Sequence, residues 1–310
     1  MRIGLIDVDG HNFPNLPLMK LSAWHKGQGD EVEWYSSMFS GHMDKVYVSK
    51  VFSFSQDYWE CIDADEVVYG GSGYCIENIG GKEIYHQEKD AWLAPEVEHI
   101  YPDYSLYPDF TEDTAYGFLT RGCPMNCAFC HVGCKEGLIS HKVADLHEFW
   151  RGQKNVTLLD PNITACKEWK ELFCQLIDSR AWIDFSQGLD IRLMDEEKIE
   201  MLMRMKIKRV HFAWDRYRNK DLVLPRFQSF KEITGWDKRK MAVYVLTNFD
   251  STFEEDLDRV YTLRDLGFTP YIMIYDKNGL PQGHRLKKLQ RWVNSRFAFA
   301  KVPRFEDYKA

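Results

Sequence analysis

The sequence predicts an α/β protein in which a small Rossmann-like or flavodoxin-like domain precedes a partial (β/α)6 barrel of the TIM type. Three observations favour this fold class. Short apolar strands alternate with amphipathic helices along most of the chain. The length of 310 residues fits a barrel with a smaller partner domain. Hydrophobic residues make up 45% of the chain and charged residues 28%, which is typical of a globular protein with a sizeable core.

Residues 1–89 are predicted to form the Rossmann-like domain. The apolar run Arg2–Asp9 predicts a buried strand, and the segment Leu18–Gly29 has helical spacing. Strand and helix in alternation imply a parallel sheet. Residues 90–113 contain several prolines without a clear period and are predicted to be a linker. Further strands are predicted at residues 31–37, 45–52 and 64–74, the last of them running into the glycine-rich turn YGGSGY, which could let a ligand approach the backbone.

Residues 114–276 repeat a strand-and-helix pattern that predicts six β/α units and therefore a partial parallel barrel. Asp195 and Ser251 are predicted helix N-caps, and Gly267 is a predicted helix stop. Residues 277–310 are basic at first and predict a closing helix with a loose tail. The predicted strands are residues 115–120, 155–160, 182–193, 209–215, 241–247 and 269–275, and the predicted helices are residues 167–179, 195–205 and 253–266.

Charge and hydropathy narrow the function classes. The net charge of −7 disfavours a broad nucleic-acid surface. The basic, aromatic segment Arg285–Arg304 leaves open a docking surface for RNA or peptide, with a helix closing the barrel as the favoured alternative. No leader peptide is indicated, and no apolar run approaches the roughly 20 residues that span a bilayer, so we expect a cytoplasmic protein without membrane contact.

The segment Arg121–Cys130, RGCPMNCAFC, places three cysteines at C-x3-C-x2-C spacing directly after the first barrel strand. In a reducing compartment, clustered cysteines indicate a metal site more often than disulfides. Thiolates are the ligands of iron–sulfur clusters. Three of them leave one iron of a cubane open to an external ligand, as a catalytic zinc keeps one open position. The alternatives are a chance cluster or a structural zinc site completed by Cys134 or His131.

This motif, with Phe129 before its last cysteine and a β/α series around it, resembles the radical S-adenosylmethionine (SAM) superfamily over residues 114–276. The resemblance implies that Cys123, Cys127 and Cys130 hold a [4Fe–4S] cluster and that Phe129 lies near the adenine of SAM. It also implies an electron donor such as flavodoxin or ferredoxin. The implied reaction is reductive cleavage of SAM to methionine and a 5′-deoxyadenosyl radical, which abstracts hydrogen from a substrate.

Active sites of β/α barrels lie at the C-terminal ends of the strands, and this rule selects further side chains. Asp160 and Asn162 stand where radical SAM proteins often carry a GGE-like turn, which this chain lacks. Arg192 could pair with the SAM carboxylate, and Asp215 is a candidate for the ribose hydroxyls. The alternative for each is a helix cap or a loop hydrogen bond. The other candidates at strand ends are Gln187, Asp190, Thr247, Asn248, Tyr275 and Asp276.

The segment Asp9-Gly10-His11 resembles the start of the D-x-H-x-x-G motif of cobalamin-binding domains, with Pro14 in place of the glycine. This resemblance implies a cobalt ligand at His11, whereas the alternative is a loop histidine or a substrate contact. The layout is also similar to that of cobalamin-dependent radical SAM enzymes and methylthiotransferases. Two alternatives to the radical SAM enzyme therefore stay open: cobalamin-dependent methyl transfer, and a non-catalytic iron–sulfur or zinc protein.

Overall fold

The computed structural model describes residues 1–10, 13–79 and 82–309. The chain divides into two compact units. Unit 1 comprises Met1–Leu138 and Val143–Thr157, and unit 2 comprises Ile139–Lys142 and Leu158–Ala310. In the described part of the chain, no helix has both the length and the apolar character needed to cross a membrane.

Unit 1 begins with a parallel four-stranded sheet, in agreement with the predicted α/β class. Its strands are ordered β2-β1-β3-β4, and β1 pairs in parallel with both of its neighbours. The connections β2–β3 and β3–β4, all of whose residues are described, contain no helix, so the predicted alternation holds only across the first two strands. The elements are β1 (Arg2–Asp7), α1 (Leu16–Gly27), β2 (Glu31–Trp34), β3 (Met43–Ser49) and β4 (Ala64–Gly70).

The remainder of unit 1 is built from short elements that the sequence predicted only in part. The antiparallel hairpin of β5 and β6 was not predicted. The predicted strand at residues 115–120 is interrupted into two short strands, β7 and β8. The elements are α2 (Ser72–Cys75), β5 (Ile76–Ile79), β6 (Lys82–Tyr85), α3 (Pro95–Glu98), α4 (Pro108–Thr111), β7 (Thr114–Gly117), β8 (Thr120–Arg121) and α5 (Val132–Lys135).

A second sheet has six strands whose order follows the chain, β7-β10-β11-β12-β13-β14. The pairings from β11 to β14 are all parallel. The elements that follow α5 along the chain are β9 (His141–Lys142), β10 (Asn155–Leu158), α6 (Trp169–Ser179), β11 (Trp182–Phe185), α7 (Glu196–Arg204), β12 (Lys206–Ala213), α8 (Lys220–Thr234), β13 (Met241–Thr247), α9 (Phe253–Asp265), β14 (Thr269–Ile274), α10 (Arg285–Asn294) and α11 (Arg296–Lys301).

One face of the strands β11–β14 forms the core of unit 2. The ring of Phe212 on β12 packs edge-on against Phe227 and Phe230 of α8 and against Phe268. All four rings are at most 1% exposed. Because aromatic side chains bury large apolar areas, this cluster is a main source of stability for unit 2.

The helix boundaries confirm some sequence predictions and correct others. Asp195 caps α7, and Gly267 follows α9 with a φ of +81°, both as predicted. The N-cap of α9 is Thr252, which forms a capping box with Glu255, so the prediction of Ser251 was wrong. Helix α8 was not predicted, and in place of one closing helix the chain ends with α10 and α11.

Candidate functional site

The cysteine loop of unit 1 follows β8 and is fixed by backbone contacts. Gly122 has a φ of +79°, a conformation that suits glycine, and its N–H donates to the Glu136 carboxylate at 3.1 Å. The same carboxylate accepts from Arg121 at 2.9 Å. The N–H of Cys123 donates to the Gly137 carbonyl, and that of Cys130 donates to the Cys127 carbonyl. These contacts return the chain on itself between Arg121 and Gly137.

The thiols of this loop suit soft metal chemistry. No disulfide involves Cys123, Cys127 or Cys130. Cys130 is exposed as a residue, yet desolvation of its thiol and the neighbouring thiols of Cys127 and Cys123 raise its pKa to about 11. At this pKa the Cys130 thiol is protonated at neutral pH. A bound metal cation would favour the thiolate instead, because metal ligation deprotonates a thiol. Cys134 is exposed and its thiol donates to the His131 carbonyl at 3.0 Å.

Three thiols on one loop are the donor set that an iron–sulfur cluster takes. Across residues 1–10, 13–79 and 82–309, no group of three or more His, Cys, Asp or Glu side chains is arranged to hold a metal ion. The three cysteines match an iron–sulfur cluster in donor type and in sequence spacing, whereas their thiols are not gathered into a metal site in this structure.

In unit 2, a hydrogen-bonded chain links the ends of β10 and β11. The Thr164 hydroxyl donates to the Asn162 side chain at 2.7 Å and accepts from the Asp190 N–H at 3.3 Å. The Asp190 carboxylate forms a two-point pair with Arg192, at 2.8 Å to Nε and 2.7 Å to Nη2. Asn162 is 3% exposed and Thr164 is 4% exposed, so this end of the hydrogen-bonded chain is buried. The structure thus links Asn162 to Asp190 through Thr164, and Asp190, which caps the turn at Ile191–Leu193, to Arg192.

Asp215 follows β12 and belongs to the same electrostatic environment. Burial raises the pKa of its carboxyl to about 6, although the positive charges of Arg259, Arg192 and Arg216 oppose the shift. The Asp215 carbonyl accepts from Nη1 of the fully buried Arg259 at 2.9 Å. A carboxyl with this pKa can change its protonation state close to neutral pH.

We expect Asp215→Asn to stabilise the protein at neutral pH. The folded-state pKa of Asp215 lies above the ordinary value of 3.8 for an aspartic acid, so folding favours the protonated form. The contribution of Asp215 to stability is therefore present below about pH 4 and is lost as the pH rises through about 6. Asparagine resembles the neutral acid, so the variant should gain about 2–3 kcal/mol in free energy of unfolding at pH 7.5 and little at pH 4.

Urea denaturation of Asp215→Asn at the two pH values, beside Asp178→Asn, measures this difference. Asp178 lies exposed on α6, so its substitution should change little at either pH. Equal gains for Asp215→Asn at pH 4 and pH 7.5 would show that the Asp215 carboxyl does not carry the predicted shift.

The other predicted site residues have separate surroundings. Asp160 is 3% exposed at the end of β10, whereas Gln187 is exposed beyond β11. Asn248 has a φ of +64° and its side chain donates to the Tyr275 carbonyl at 2.8 Å, which joins the ends of β13 and β14. Phe129 lies within the cysteine loop of unit 1. His11, the candidate cobalt ligand, is outside the described residues.

Sequence reasoning missed a polar cluster on the face of the β11–β14 sheet opposite the aromatic core. Asp184 of β11 lies opposite Arg209 of β12 in the strand register. Nδ1 of His211 lies 3.7 Å from the Asp184 carboxylate, and the His211 ring stacks on Tyr244 at 5.3 Å. The available signal was the spacing of Arg209 and His211, two residues apart on one strand, because both faces of a parallel strand are usually apolar.

No known family model matches the chain. No curated protein matches it either.

Proposed function

We propose that the chain is a cytoplasmic radical SAM enzyme in which Cys123, Cys127 and Cys130 ligate a [4Fe–4S] cluster. The observation that carries the proposal is the C-x3-C-x2-C loop, which follows the first strand of a series of β/α units. When bound, the cluster supplies the electron for reductive cleavage of SAM. A donor such as flavodoxin or ferredoxin would reduce it. We also propose that the six strands, which are ordered as they occur along the chain, curve into a partial barrel.

The residues of the chain have distinct tasks in this proposal. Phe129, beside the last cysteine, packs near the adenine of SAM. Arg192 binds the SAM carboxylate, and the two-point contact with Asp190 orients its guanidinium plane. Asp160 and Asn162 contact the SAM amino group. These assignments rest on the strand-end positions together with the superfamily resemblance.

Asp215 would hydrogen-bond to the ribose hydroxyls, with Asn248 and Gln187 as further contacts at strand ends. The raised pKa of Asp215 suits this role because the protonated carboxyl can donate a hydrogen bond and the carboxylate can accept one. Asp215 is half-buried, which limits competition from water for a polar contact to a ligand.

The test is anaerobic reconstitution with iron and sulfide, followed by dithionite and SAM, with 5′-deoxyadenosine measured by mass spectrometry. We expect the wild-type chain to form 5′-deoxyadenosine and Cys127→Ala to fall to the level of the reaction without protein. The reason is that two thiolates no longer hold the cluster with one open iron. Iron and sulfide content should decrease in the same variant.

Two further cysteine variants serve as controls. Cys174→Ala lies on the exposed side of α6, and Cys134→Ala lies beyond the motif. Both should keep the cluster and the product. A zinc site completed by Cys134 would instead bind zinc in the wild type and lose it in Cys134→Ala. That outcome, or the absence of any cluster in the wild type, would favour a non-catalytic metal protein.

A further inference from the structure

The face of the β11–β14 sheet opposite the aromatic core carries several exposed side chains. Parallel sheets are normally buried on both faces. Here Tyr271 is 44% exposed, Met273 is 47% exposed and Trp182 is 41% exposed. Ala213 on β12 is also exposed. An open face of aromatic and polar side chains within a parallel sheet indicates a surface for a ligand.

Two polar atoms on this face have unused hydrogen-bonding capacity. Oδ1 of Asp184 and Nε of Arg209 are buried, and neither has a hydrogen-bond partner among the described residues. Their Cα atoms are partners across β11 and β12, and neighbouring strands lie about 4.8 Å apart. A buried polar atom without a partner destabilises the fold unless a ligand satisfies it. The pair therefore presents an acceptor beside a donor.

Aromatic rings flank this pair. The rings of His211 and Tyr244 are parallel to within 6° at 5.3 Å, and Tyr271 meets Tyr244 edge-on at 5.8 Å. Nδ1 of His211 contacts the Phe185 carbonyl at 3.1 Å, which holds the imidazole in place. The Tyr244 hydroxyl donates to the Ser186 carbonyl at 3.0 Å, so both rings are fixed by backbone contacts. Such rings offer a rigid surface for a flat molecule.

We propose that this face binds a purine or pyrimidine base, with Asp184 and Arg209 reading its hydrogen-bonding edge. A carboxylate accepts from base N–H groups, and a guanidinium donates to base carbonyl oxygens and ring nitrogens. Guanine fits best, because its N1–H and N2–H groups face a carboxylate while O6 faces a guanidinium. The site lies within unit 2 and does not depend on the proposed cluster. If the bound base is also the substrate of the enzyme, that further step rests on the proposed function.

The test is isothermal titration calorimetry of the metal-free full chain with guanosine, adenosine, cytidine and uridine. We expect guanosine to bind most tightly. Asp184→Asn and Arg209→Gln should each weaken guanosine about tenfold or more, as expected for the loss of a hydrogen bond to a charged group. The matched controls are Asp237→Asn and Arg239→Gln, which alter an ion pair at the surface and should leave affinity unchanged.

Stability distinguishes a binding role from a structural one. Oδ1 of Asp184 accepts no hydrogen bond from the described residues, its ion-pair distance to His211 is a long 3.7 Å, and burial raises the pKa of the carboxyl. Asp184→Asn should therefore unfold at the same temperature as the wild type or higher. Binding of none of the nucleosides would overturn the proposal, as would equal affinity in wild type, Asp184→Asn and Arg209→Gln. Displacement of guanosine by SAM would also overturn it by assigning the face to SAM. Failure of SAM cleavage with intact guanosine binding would overturn only the proposed function.

Discussion

Arg259→Met is expected to lower the free energy of unfolding of unit 2 by about 3–5 kcal/mol. Arg259 is 0% exposed and forms an ion pair with Asp256, which is 1% exposed. Its guanidinium also donates to the carbonyls of Trp214, Asp215 and Leu246. Methionine is an unbranched apolar side chain that donates nothing, so the buried Asp256 carboxylate loses its ion-pair partner and three carbonyls lose a donor.

The matched control is Arg239→Met, which removes an arginine from an ion pair at the surface. The Arg239 side chain is 85% exposed and pairs with Asp237 at 2.8 Å. Exposed pairs contribute about 0–1 kcal/mol, so this variant should unfold close to the wild type. Chemical denaturation followed by tryptophan fluorescence measures both. A loss below about 1 kcal/mol for Arg259→Met would show that the buried network adds little to stability.

Gly71→Ala is expected to destabilise unit 1 by about 3 kcal/mol or more. Gly71 has φ and ψ of 97° and 163°, a region that other residues avoid. A Cβ at this position would lie 2.3 Å from the Lys50 carbonyl oxygen. That oxygen cannot move away freely, because it accepts from the Gly73 N–H at 2.8 Å.

Gly70→Ala is the matched control for this position. A Cβ on Gly70 would meet its nearest neighbour, the Ala91 side chain, at an ordinary 3.6 Å. The neighbouring substitution should therefore cost little, and the same denaturation experiment compares the two. If both variants had the same free energy of unfolding, neither the close approach of Lys50 nor the backbone conformation of Gly71 would limit the residue at this position. In this structure the segment that lies close to the backbone of the glycine-rich turn is Lys50 of the same chain, in place of the ligand that the sequence suggested.

The sequence predicted those helix boundaries of unit 2 that are marked by a capping residue or a glycine next to a helical pattern. Asp195 before an acidic first turn and Gly267 after a helical period are local features, and both were confirmed. The cap of α9 was ambiguous, because Ser251 and Thr252 each precede a glutamate by three residues. The structure resolves this ambiguity: Thr252 caps the helix, and the Ser251 hydroxyl donates to Asp256 at 2.6 Å.

Helix α8 shows where such signals fail. Pro225 lies in the sixth position of the helix, where proline removes a backbone donor and normally ends the element. Packing of Phe227 and Phe230 against Phe212 offsets this cost. That packing depends on side chains distant in sequence, so local propensity does not predict it.

The sequence selects only some residues of the candidate site, because local signals do not include contacts between distant strands. The strand-end rule selected Asp190, Arg192 and Asp215 because it depends only on the order of the elements. It did not select Asp184, Arg209 and Tyr244, which lie within strands. Their importance follows from the register between strands, together with a β-bulge at Ile183/Asp184 that brings Asp184 opposite Arg209.

The strand order of the two sheets has a consequence for how the chain folds. From β11 to β14 each strand pairs with the next one along the chain, so each β/α unit can add to those already formed as synthesis proceeds. In the first sheet, β3 must instead pair with β1 after β2 has taken the opposite edge. Closing that longer loop carries an entropic cost, so the first sheet is the slower one to assemble.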